Sequence, residues 1–431
     1  MSERQIDVLP ETAAGAAGDA FAATPRRAEK RLLGLLGPAF VAAIAYVDPG
    51  NVAANLTSGA DYGYLLVWVL VVANAMAVLV QYLSAKLGLV TGRSLPELLG
   101  ERLPRAGRLA YWAQAELIAA ATDLAEVIGG AIALQILFDV PLLLGGLIVG
   151  AISTLLLLVQ SHRGQRPFEF VIIGLLAVIS VGFVAGLVVS PVSWGGVAAG
   201  LVPRFQGSET VLLAASMLGA TVMPHAIYLH SGLARDRHGS STDPSRIARL
   251  LRATRWDVAI ALAIAGTVNI AMLLLAASSL PGVAGTGTIP GAHEAIVRSL
   301  GPVIGVIFGV GLLASGLAST SVGNYAGSTI MAGLLHVRIP VVLRRVLTLI
   351  PALIVLGVGF DPTRALVLSQ VLLSVGIPFA LIPLVIYTGR PQLMGEFVSK
   401  RLLRTVAWVV TGLIVILNVA LVALTFTGQG S

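Results

Sequence analysis

Phe40-Val41-Ala42-Ala43-Ile44-Ala45-Tyr46-Val47-Asp48-Pro49-Gly50-Asn51-Val52-Ala53-Ala54-Asn55-Leu56 is an apolar run cut at its centre by an acid, a proline, a glycine and an amide. Proline removes a backbone donor and clashes with the preceding turn, and glycine adds conformational freedom, so a helix should unwind here. Carbonyls freed at membrane depth are tolerated only where they line a cavity or are held by protein. A second run repeats the design: Gly219-Ala220-Thr221-Val222, then Met223-Pro224-His225, then Ala226-Ile227-Tyr228. Both prolines fall in mid-run.

The rest of the chain agrees with a membrane setting. Of 431 residues, 56% are hydrophobic, 11% are charged and 48 are Gly, and the mean hydropathy is +0.91. Soluble domains carry about 25% charged residues, so a water-soluble globule is excluded. The absence of Cys removes disulfides, thiolate metal sites and Cys nucleophiles together. A bilayer core of about 30 Å needs about 20 apolar residues per helix. Scanning on that length predicts eleven spans: 32–57, 64–90, 108–137, 141–160, 168–190, 210–234, 256–280, 299–333, 341–360, 364–388 and 405–427. These runs are too long and too uniformly apolar for barrel strands, so the fold class is all-α, a polytopic helical membrane protein. Residues 1–31 are polar and read as a disordered cytoplasmic tail. They are not a signal peptide, because the first apolar run continues beyond its polar break.

The net charge of +7 raises the question of a nucleic-acid partner. With the N-terminus in the cytoplasm, 25 of the 28 Lys and Arg residues fall inside, in six groups that begin at Arg4, Lys86, Arg163, Arg235, Arg338 and Arg390. Arg204, Arg298 and Arg364 fall outside. That asymmetry is a topology signal for a cell-membrane protein whose C-terminus is extracytoplasmic, and it accounts for the charge without nucleic acid. The basic stretch 235–255 reads as a solvated helix or loop at the inner surface, attracted to anionic lipid.

Pro49 and Pro224 each open a group of five spans, 32–190 and 210–388, with 405–427 left as an appended eleventh. An odd number of spans per group turns the two groups upside down relative to each other. A matching pair of interrupted helices in two such halves points to a transporter site at the repeat interface. Asp48 offers a carboxylate, Asn51 an amide one turn later, and the unwound segments offer carbonyls near Ala45 and Ala220. Half-helix C-terminal ends favour a cation. A methionine in a span usually packs. Placed beside a break that mirrors Asp48-Pro49, the soft Met223 thioether instead points to a divalent transition metal. Asn51 could alternatively satisfy unwound backbone, and His225 could be a ligand, a proton carrier or a wall of the site.

Glu116, Asp123 and Glu126 share one face of the third span, since steps of seven and ten residues leave a helix turned by about −20° and −80°. Three intramembrane acids on one stripe suggest a proton relay, and pairing with Arg344 or Arg345 is compatible with that role. A divalent ion reaching Asp48 competes with a proton for the same oxygens, which would couple the two fluxes.

Asp48-Pro49-Gly50-Asn51 together with Met223-Pro224-His225 resembles the paired signature of the Nramp family of proton-coupled manganese and iron transporters. Ala115-Glu116-Leu117, Thr122-Asp123-Leu124-Ala125-Glu126 and Leu368-Ser369-Gln370 add to the likeness, which extends from about Arg31 to Thr427. The resemblance implies a LeuT-like 5+5 inverted repeat and alternating access. It implies metal binding by Asp48, Asn51 and Met223 with the carbonyls of Ala45 and Ala220, and by Gln370 in some states. It also implies a proton path through the third-span acids and their basic partners. No cofactor and no obligate protein partner is implied. The competing reading is a sodium- or proton-coupled amino-acid or small-solute transporter of the same fold, against which Asp48 argues because it repels an anionic substrate. A membrane enzyme is not supported: His293-Glu294 begins a zinc-protease motif, but Val297 stands where the second His belongs. A passive channel fits poorly with one asymmetric site and an acidic relay.

Overall fold

In the computed structural model the described residues are 37–426, apart from 284 and 338. The tail 1–31 with its basic residues, the start of the first span at 32–36, Arg338 and Thr427 lie outside them. Among the described residues every regular element is helical. The first predicted span is α1 (Pro38–Ala43), a 3-10 turn (Ile44–Val47) and α2 (Pro49–Tyr62). Then follow α3 (Val67–Thr91), the short α4 (Leu95–Arg102), α5 (Arg105–Phe138), α6 (Leu142–Arg163) and α7 (Gln165–Val189). A short α8 (Trp194–Gly200) leads to α9 (Gly207–Thr221) and α10 (Pro224–His238), which together form the sixth span. The remainder comprises α11 (Pro244–Ser279), α12 (Ile289–Leu300), α13 (Pro302–Leu335), α14 (Val341–Gly357), α15 (Pro362–Thr388), α16 (Pro391–Met394) and α17 (Arg401–Phe426).

All eleven predicted spans therefore coincide with helices. Nine helical segments among the described residues are long and apolar enough to cross a bilayer alone. The other two are the interrupted first span and α14, which has 17 residues and an internal Pro351. The ends shift by a few residues: the first span runs on to Tyr62 and the sixth starts at Gly207.

Helix α13 forms the packing hub, lying against α5 and α7. Apolar side chains gain little by leaving lipid for protein, so close backbone approach at small residues holds such bundles together. A Cβ on Gly316 would stand 2.8 Å from the Gly130 backbone of α5, and one on Gly182 of α7 would stand 2.9 Å from Gly311. The stretch 235–255 takes the helical form of the two expected. Helix α10 runs on to His238 and α11 starts at Pro244, capped by the Asp243 carboxylate accepting from Ser245 N. Arg235 pairs with Glu97 of α4, and Arg237 lies 3.5 Å from Glu169 of α7, so these two cations are committed to protein.

Candidate metal centre

Both interruptions lie where proline places them. Asp48 is extended (φ −72°, ψ 166°), and its Oδ1 accepts from Asn51 N at 2.9 Å, which caps α2 from the far side of the break. The carbonyls released just before the break do not go unpaired. Asn269 Nδ2 of α11 donates to Tyr46 O at 2.7 Å, and Ser315 Oγ of α13 donates to Val47 O at 2.5 Å. Asn55 Nδ2 holds the other end of the Asn269 amide at 2.9 Å. In the sixth span, α9 stops at Thr221, Met223 is extended (φ −77°, ψ 124°), and Pro224 starts α10.

One side chain joins the two breaks. Asn51 Nδ2 donates to Asp48 Oδ1 at 2.6 Å and to Ala220 O at 2.8 Å. The carboxylate of one half-helix and the Ala220 carbonyl near the end of the other thus share a single amide nitrogen. Helix α15 adds a third wall. A Cβ on Gly50 would fall 1.8 Å from Gln370 Nε2 and 3.1 Å from Asp48 Oδ2, so only glycine lets the Gln370 amide lie against the break. Helix α5 supplies the floor: a Cβ on Gly129 would meet Pro49 Cβ at 2.2 Å.

The centre is sealed. Ala45, Asp48, Asn51, Ala220, Met223 and His225 are each at most 2% exposed, and Gln370 is 6% exposed. Several buried polar atoms there have no hydrogen-bond partner: Asn51 Oδ1, both ends of the Gln370 amide and both ring nitrogens of His225. Buried polar groups are normally paired, and these atoms are the ones at the break that the protein itself leaves open. Among the described residues no three His, Cys, Asp or Glu side chains cluster. The groups that hydrogen bonds bring together at the break are the Asp48 carboxylate, the Asn51 amide and the Ala220 carbonyl, with a single formal charge among them.

The third-span acids occupy one stripe of α5, with basic partners from α14. Arg344 Nη2 donates to Glu116 at 2.9 Å. Arg345 Nη1 bridges both Asp123 oxygens at 2.6 and 2.5 Å, and that carboxylate also accepts from Thr320 and from Asn324 at 3.1 Å. Glu126 is fully buried, with Ser319 of α13 beside its carboxylate and no basic side chain paired to it among the described residues. From Glu116 to Glu126 the stripe spans about 15 Å of helix. Of the two acids expected from sequence to pair with Arg344 or Arg345, Asp123 does so; the second arginine goes to Glu116 instead of Glu126, which stands on α5 between the pairs and the break.

Sequence reasoning missed a second polar chain beside the site. Gln81 of α3 donates to Tyr46 OH at 2.5 Å and contacts His230 Nδ1 through its Oε1 at 2.7 Å, while His230 Nε2 has no partner. Polar residues inside apolar spans were the available signal, in Gln81 as in Asn269 and Ser315.

A family profile described as "Natural resistance-associated macrophage protein-like" matches residues 39–424. The chain is 62% identical over 394 residues to the divalent metal cation transporter MntH of Mycobacterium tuberculosis strain H37Rv, covering 91% of this chain and 92% of that protein. Among solved structures it resembles the Eremococcus coleocola manganese transporter in complex with an aromatic bis-isothiourea substituted compound. That match has a TM-score of 0.84 at 32% identity and covers 93% of this chain and 88% of the other. Mhp1, a nucleobase-cation-symport-1 family transporter, shares the fold at a TM-score of 0.58 and 16% identity, covering 90% and 91% of the two chains. Two broken half-helices meeting in a polyhelical bundle, a profile match over nearly the whole chain and close kinship in sequence converge: the chain is a multi-pass membrane transport protein of the Nramp family, with the LeuT-like fold.

Proposed function

We propose that the protein imports a divalent transition metal, Mn²⁺ and also Fe²⁺, into the cytoplasm by symport with protons through alternating access across the cell membrane. The observation that carries this reading is the Asn51 amide shared between Asp48 and Ala220, which puts hard oxygen donors from both breaks at one buried point. The MntH name of the mycobacterial relative and the manganese-transporter title of the structural neighbour support the choice of metal. The two five-span groups, 32–190 and 210–388, act as the moving repeats, and the N-terminus faces the cytoplasm.

Without metal, the amide nitrogen of Asn51 satisfies the oxygens that a cation would take. A half-turn of that amide presents Oδ1 to the ion and frees Asp48 and Ala220 O to coordinate it. Met223 adds the soft donor that alkaline-earth ions use poorly. Gln370 closes the site from α15, with the Ala45 carbonyl contributing in another state. Protons displaced from Asp48 pass to Glu126 and then toward Asp123, Arg345, Glu116 and Arg344, away from the metal's own route, and His225 borders the start of that path. The partners are metal, protons and bilayer. The lone carboxylate in the centre disfavours the amino-acid alternative.

Uptake of Mn²⁺, Fe²⁺, Mg²⁺ and Ca²⁺ into proteoliposomes by the parent protein and Met223→Ala tests the ligand set. Removal of the thioether should weaken Mn²⁺ uptake by less than about tenfold and admit the alkaline-earth ions. Unchanged selectivity removes sulfur from the site. The proton route is tested separately with Asp123→Asn, for which metal-driven acidification of the vesicle lumen should fall well below that of the parent. If it stays equal, Asp123 is not an acceptor.

A further inference from the structure

The appended helix α17 lies outside both five-span groups, and its first turns meet the end of α15. A groove of about 630 Å³ opens between them, lined by Val385, Ile386, Gly389, Arg404, Thr405 and Trp408. Arg404 lines the groove itself, and two further arginines lie beyond its Gly389 end. The guanidinium groups of Arg102 and Arg390 stand 5.1 and 5.6 Å from the centroid of one ring, that of Tyr387. The stem of Arg404 passes Gly389, next to Arg390, closely enough that a Cβ there would meet its Cδ at 3.1 Å. Glu396, the one acid between Gly389 and Arg404, forms no ion pair with these guanidiniums among the described residues. Arginines from three segments with no ion pair among the described residues offer cations to an anion at this end of the groove.

The rest of the groove is apolar. Val385 and Ile386 line one side, and Trp408, 43% exposed, stands on the other as an indole of the kind that favours the membrane–water boundary. A small hydrophilic anion would leave those surfaces unused. The positive-inside pattern places this end of α15 and α17 at the cytoplasmic leaflet, where anionic lipids reside. We propose that the groove binds one anionic phospholipid, its phosphate on Arg404 and Arg390 and an acyl chain along Val385 and Trp408. The lipid then seals the joint between the eleventh helix and the helix that carries Gln370.

The test uses the full chain, purified in detergent, with native mass spectrometry after equilibration in equimolar phosphatidylglycerol and phosphatidylcholine of matched chains. The parent protein should retain phosphatidylglycerol preferentially. Arg390→Gln/Arg404→Gln, two exposed positions, should lose about fivefold of that preference per arginine. Thr405→Phe, which fills the groove and leaves the charges in place, should retain one lipid fewer. Equal retention of the two lipids by the parent protein, or a preference unchanged in both variants, overturns the proposal. Displacement of phosphatidylglycerol by millimolar inorganic phosphate also overturns it, because the site would then recognise the anion alone.

Discussion

Asp48→Asn is expected to lower Mn²⁺ uptake by at least about a hundredfold while the protein remains folded, the equivalent of about 2.7 kcal/mol or more at the ion. Asp48 carries the only formal charge among the proposed ligands, and its burial gives that charge far more weight than it would have in water. Its structural duty is separable. The cap that it provides to Asn51 N at 2.9 Å can be made by an asparagine carbonyl, because Asn and Asp are equivalent caps. Uptake and calorimetric Mn²⁺ binding should therefore collapse together with little change in thermal melting. Binding within tenfold of the parent protein would mean that the metal sits elsewhere.

Arg345→Met is expected to destabilise the protein by about 3–5 kcal/mol, the range for removing one partner of a buried ion pair. Arg345 is fully buried and Asp123 is 2% exposed, so the orphaned carboxylate would keep only its Thr320 and Asn324 donors. Replacing both partners, as Arg345→Met/Asp123→Leu, should recover most of the loss, because the desolvation cost goes with the charges. Arg93→Ala provides the contrast: the Arg93–Glu101 pair is 54% and 40% exposed, and such pairs contribute about 0–1 kcal/mol. Thermal melting in one detergent orders the four proteins. A double variant no more stable than Arg345→Met would show that Arg345 acts through packing rather than charge.

Much of this arrangement is legible in the chain, and what is not follows from how bilayers read sequence. Pro49, Gly50 and Pro224 disturb backbone locally, so the breaks are visible without knowing any neighbour. The partners of the freed carbonyls are not visible: Asn269 and Ser315 lie more than 200 residues along the chain from Tyr46 and Val47, in helices whose rotation no local period fixes. Arg344 and Arg345 show a second limit. The positive-inside rule counts charges near helix ends without regard to depth, and both residues satisfy it although they are buried against α5. The basic 235–255 stretch was ambiguous for the same reason, since charge density alone does not reveal that Arg235 and Arg237 already have acidic partners on α4 and α7.

The Asn51 amide nitrogen has two hydrogens, and both are engaged, one on each half-helix. The same amide that is proposed to greet the passenger thus ties the two breaks together before it arrives. On the proposed reading, loading and unlatching would be one event, and an idle carrier would stay shut without a dedicated lock.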